Sequence, residues 1–141
     1  MREFLLFAHV TGAILLIGPA TLVTSRFARH AANGELAEAE AAHRTSRSYG
    51  TASIVVPVVG IVLAARIDAF DQLWVQAALT VFIVGTALLA LVHLPAQKAA
   101  ISRLQAGEAV EAGILGRLRS SAGLYAVSWV AVVWLMIDKP A

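Results

Sequence analysis

His9 is the residue best placed for chemistry, because it lies inside an apolar run, FLLFAHVTGAILLIGPATLVTS, that spans residues 4–25. An ionisable side chain within a membrane-length segment marks a functional hypothesis by default. A neutral imidazole there can ligate haem iron or another metal, or relay a proton. The structural alternative is a neutral ring that hydrogen-bonds a neighbouring helix. Gly12, one turn later on nearly the same face, lets such a helix come close. At 1.5 Å per residue His9 sits about 7–8 Å below Phe4. Residues at similar depth on other segments include Gln76 and Met136. A hydrogen bond from Gln76 is the expectation, and the Met136 thioether would give a His/Met-ligated haem.

The other candidates carry less. His30, His43 and His93 fall toward one membrane face, but their spacing matches no compact metal motif, so surface histidines and no metal site are expected. Arg26, Arg29, Arg44 and Arg47 are suited to anionic lipid head groups, with a specific anionic ligand as the sharper alternative. The chain has no cysteine, which excludes a thiolate nucleophile, an iron–sulfur cluster and a disulfide framework. No carboxylate lies within an apolar segment, which weakens a proton-coupled carrier. There is no glycine-rich phosphate loop and no zincin-type histidine pair. Ser25, Ser53 and Ser128 have no evident base and read as helix-packing hydroxyls. No catalytic residue is expected.

The elements that hold these residues follow from hydropathy. The 141 residues are 59% hydrophobic and 14% charged, against about 25% charged in soluble domains. A net charge of +2 is too small to argue for nucleic acid. About 20 apolar residues cross roughly 30 Å of hydrocarbon. The pattern predicts a single all-α membrane domain, a four-helix bundle with helices at about residues 4–25, 49–65, 73–94 and 122–137. Trp74 opens the third as an interfacial anchor. Gly18-Pro19-Ala20 resembles a signal-cleavage site, but Glu3 cancels Arg2 and the apolar run continues beyond it, so a retained helix is expected. Pro19 is expected to kink that helix. Polar stretches at 26–48 and 98–119 turn at Asn33-Gly34 and Ala106-Gly107. In the first of them, Glu40 and Arg44 have i,i+4 spacing for an ion pair.

Eight of the eleven Lys and Arg residues lie in these two stretches. The positive-inside rule therefore places both hairpins in the cytoplasm and both termini outside the cell membrane. The halves also match at an offset of 73 residues. Gly12, Gly34, Glu35, Arg44, Ser48 and Gly50 correspond to Gly85, Gly107, Glu108, Arg117, Ser121 and Gly123. That pattern predicts two repeated helical hairpins.

The whole chain resembles the predicted integral membrane proteins grouped as DUF2269. The resemblance rests on FLLFAHVTGAILLIG, on GELAEAEAAHRTSR running into GTASIVVPVVGIVLA, and on the ending VVWLMIDKP. It implies four helices and no established activity. A weaker similarity, carried by His9, Gly12, His30 with Ala31, and Trp74, is to the HemJ-type proteins that oxidise protoporphyrinogen; it implies haem ligation at His9. The expected role is a non-enzymatic membrane component in the lipid bilayer, assembling with itself as a homo-oligomer or with a larger membrane complex through small-residue faces such as Gly60/Ala64 and Ala122/Ala126. The alternative is a haem-binding redox protein.

Overall fold

A computed structural model describes residues 1–139. Pro140, which closes the VVWLMIDKP ending, and Ala141 lie outside the described residues. Among the described residues four helices are long and apolar enough to cross a membrane: α1 (Arg2–Ala32), α2 (Leu36–Arg66), α3 (Leu73–Gln105) and α4 (Ala112–Asp138). They contain 31, 31, 33 and 27 residues, so each is roughly 40–50 Å long and overshoots the hydrocarbon by a few turns. The extra length exceeds the segments expected from hydropathy. Its cause is local, because the Ala-, Glu- and Arg-rich stretches at the hairpin ends are good helix formers and continue the same helices into water.

Three of the four prolines explain the irregularities within these helices. A proline lacks an N–H, and its ring clashes with the carbonyl four residues earlier. Pro19 and Pro95 act on Leu15 and Leu91. Each of these lies at the centre of a π turn, Ala13–Ile17 in α1 and Leu89–His93 in α3. The extra residue in each π turn widens the helix where the proline would collide. In α2, Pro57 acts on Ser53, and the helix is interrupted between Ala52 and Val55.

α1 and α3 end alike. Gly34 and Gly107 both have φ +74°. Glu35 N–H donates to the His30 carbonyl at 3.0 Å, and Glu108 N–H to the Arg103 carbonyl at 2.9 Å. These are Schellman-type stops, in which a left-handed residue lets the chain satisfy its last carbonyls. A side-chain pair clasps each turn: His30 with Glu35 at 2.5 Å, and Arg103 with Glu108 at 2.7 Å. Arg103 also pairs with Glu111.

α1 packs on α2, and α3 on α4. Contact between these hairpins concentrates in the halves near the two Schellman turns, where Gly18–Ala32 meets α4 and Leu36–Ala52 meets Leu94–Gln105. Two apolar cores result. One holds Ile17, Ala20, Val56, Leu89, Tyr125 and Trp129, with Phe82 edge-on to Trp129. The other holds Phe27, Ala31, Ala39, Ala100 and Leu118. Phe4, Phe7, Ile14, Ile83, Val84, Leu91 and Val127 are exposed. An exposed apolar surface on this scale needs lipid around it.

Candidate functional site

His9 is buried between α1 and α2. Its Nδ1 lies 2.9 Å from the Val56 carbonyl oxygen. A carbonyl can only accept, so Nδ1–H donates, and in a neutral ring Nε2 keeps the lone pair. The ring rests on Gly60, where a Cβ would fall 2.8 Å from His9 Cε1. The expected partner, Gln76, is not the one used. It is exposed, and its amide donates to the Phe70 carbonyl at 3.2 Å. Residues Arg2–Gly12 pack on Val55–Arg66 rather than on α4, which carries Met136. An apolar neighbour with a glycine-bared backbone satisfies the imidazole more directly than a side chain on a third helix.

A second polar group was not foreseen. Between the two cores, all four helices bury hydrophilic side chains: Thr24, Ser46, His93, Gln97 and Ser121. His43 Nδ1–H donates to Gln97 Oε1 at 2.7 Å, and Gln97 Nε2 donates to Ser46 Oγ at 3.2 Å. His93 Nδ1 lies 2.7 Å from Ser121 Oγ, whose own proton is directed to the Arg117 carbonyl at 2.7 Å. His93 Nδ1–H is therefore the donor. His93 Nε2, the Tyr125 hydroxyl and Trp129 Nε1 are buried without a partner among the described residues.

The three histidines expected at the surface thus differ from one another. His93 is wholly enclosed, His43 is half-buried, and only His30, paired with Glu35, belongs to the outer turn. They do not converge, and no group of metal-ligating side chains forms among the described residues. The sequence signal for the layer is His93 and Gln97 at i,i+4 on one helical face, at the end of the apolar segment.

The basic residues fall into two environments. Arg103 is paired across its turn, whereas Arg44 and Arg47 form no ion pair among the described residues. The expected partner of Arg44, Glu40, instead accepts from Gln105 at 3.0 Å. Arg44 and Arg47 line a groove on α2 together with His43, Ser48 and Thr51. Of the expected small-residue faces, Ala64 and Ala122 are buried inside the bundle, and Gly60 is covered by His9.

No curated protein and no solved structure matches this chain. A family model described as "Predicted integral membrane protein (DUF2269)" matches residues 3–140, nearly the whole length, and the chain belongs to that family.

Proposed function

We propose that the protein is a non-enzymatic membrane component that assembles through the outer face of α4, in the first instance with a second copy of itself. The observation that carries this reading is a seam at alternating three- and four-residue spacing: Gly113, Gly116, Ser120, Gly123, Val127, Val130 and Trp134 are all exposed. Nothing lies within 4 Å of a Cβ built on Gly113, Gly116 or Gly123. Such spacing presents one continuous stripe to a partner helix, and small residues let helix backbones approach closely in lipid. The small residues Gly60, Ala64 and Ala122 are already used inside the bundle, whereas this stripe is exposed. Light scattering of the detergent-solubilised protein tests it. A dimer or higher oligomer is expected, reduced to monomer by Gly116→Ile with Gly123→Ile. A monomeric parent protein would overturn the reading.

The basic hairpins face the cytoplasm in this proposal, with both termini outside, because eight of eleven Lys and Arg lie at the hairpin end. Single cysteines at Gly34 and Gly107 should resist an impermeant thiol reagent on intact cells; labelling there would reverse the orientation.

A second reading, haem binding at His9, has one observation in its favour. With Nδ1–H held by the Val56 carbonyl, Nε2 is the lone-pair nitrogen, the state of a ligating histidine. Haem would supply redox chemistry there. A Soret band lost in His9→Ala, with the fold retained, would establish it.

A further inference from the structure

We propose that the groove on α2 is a binding site for the phosphate of an anionic phospholipid. It has a volume of about 320 Å³ and is lined by His43, Arg44, Arg47, Ser48 and Thr51. Arg44, Arg47, Ser48 and Thr51 can each donate a hydrogen bond, and no carboxylate lines the groove. Two guanidinium groups beside two hydroxyls suit phosphate oxygens, because charge-assisted and bidentate hydrogen bonds are the strong ones.

The site is built from behind. His43 is fixed by Gln97, and Gln97 by Ser46; both of these are fully buried. A buried amide that orients a groove residue raises the precision of that residue. With Nδ1–H held inward, the neutral ring presents only its Nε2 lone pair, so Arg44, Arg47, Ser48 and Thr51 are the donors to a phosphate. Glu40, the nearest acid by helical spacing to Arg44, is occupied by Gln105.

Depth and the face beyond the groove select a lipid over a soluble anion. Counting back from Arg66, roughly 30 Å of hydrocarbon ends near Arg47. The groove therefore lies at head-group level. Deeper along α2, beyond the interruption at Ser53 and Ile54, Val55, Val58 and Val62 follow one another at helical spacing, and all three are exposed. A phosphate in the groove would have its acyl chains on this valine track.

The test uses the full chain in a neutral maltoside detergent, with bound lipid read by native mass spectrometry. Phosphatidylglycerol should bind and phosphatidylcholine should not. Arg44→Gln with Arg47→Gln should weaken binding roughly thirtyfold, from the usual contribution of one basic residue near an anionic head group, taken twice. Arg26→Gln with Arg29→Gln, equal in charge but outside the groove, should leave it nearly unchanged. Ser48→Leu keeps both arginines and fills the groove, so it should abolish binding, and it serves if the double variant misfolds. Equal loss in both arginine pairs would mean diffuse surface charge and overturn the site. Displacement of the lipid by inorganic phosphate at equal concentration would overturn the lipid assignment, as would full binding by Ser48→Leu.

Discussion

The Nδ1–H of His9 donates to the Val56 carbonyl at 2.9 Å, across the interface between α1 and α2. Gly60 makes this contact possible, because any larger residue there would meet the imidazole edge. The pair is a tie between two helices of one hairpin. Gly60→Ala should destabilise the protein by about 1–3 kcal/mol through overpacking. In a His9→Ala background the same change should cost almost nothing, since the ring is gone. A double-mutant cycle on thermal unfolding in detergent measures this coupling; additive effects would mean that Gly60 does not support His9.

The buried layer makes a different prediction. Gln97 is the shared partner of His43 and Ser46. Gln97→Leu should cost about 1–3 kcal/mol, because it strands the Nδ1–H of His43 and the hydroxyl of Ser46. Gln97→Glu keeps the shape but places a charge at a fully enclosed position, so it should cost more at neutral pH. Chemical denaturation in mixed micelles would rank the two, and the opposite order would remove the case for a dry polar layer.

The four membrane-length segments were legible because they depend on run length alone: residues 4–25 and 73–94 are apolar for long enough that no partner need be known. The turns were legible because Asn33-Gly34 and Ala106-Gly107 carry their own chemistry. What failed depends on which face meets which. Glu40 had the right spacing for Arg44, but Gln105 on another helix takes it. Gln76 had the right depth for His9, yet depth says nothing about azimuth, and its side chain turns outward to Phe70. His93, at the end of the apolar segment, was expected at the surface, and Gln97 was not singled out. They are buried because the helices keep packing beyond the membrane boundary, which hydropathy does not encode. A disturbance of the helix at Pro19 was legible; its form as a π turn centred four residues upstream was not.

The turn after α1 should respond to acid. The hydrogen bond from His30, and secondarily that from Asn33, hold the Glu35 carboxyl below its ordinary value. A carboxylate with a depressed folded pKa stabilises the fold above its unfolded pKa, and that contribution is lost as pH falls through the folded one. The turn should therefore loosen only in acid. Carboxyl carbon NMR should show Glu35 titrating below a free glutamate, with the midpoint moving upward in His30→Ala. An unchanged midpoint would mean that the pair does not persist in solution.

The last prediction compares the two turns. Gly34 and Gly107, 73 positions apart, have the same φ of +74°. His30 and Glu35 stand at the same spacing from Arg103 and Glu108, and each pair closes its turn. The π turns break this regularity, since Ala13–Ile17 and Leu89–His93 are 76 positions apart. The helix from Pro19 to Gly34 is thus nearly one turn longer than that from Pro95 to Gly107. If the hairpins act as repeats, the glycine requirement should be matched even though the helix lengths are not. Nothing crowds a Cβ at either site, so any cost of Gly→Ala reports the left-handed backbone alone. Gly34→Ala and Gly107→Ala should each destabilise by about 1 kcal/mol. Asparagine, which tolerates that conformation better, should cost less at both positions. Melting temperatures of the four single variants decide it: a penalty at one turn and none at the other would show that the turns share a shape but not a load, and would leave the repeat without energetic support.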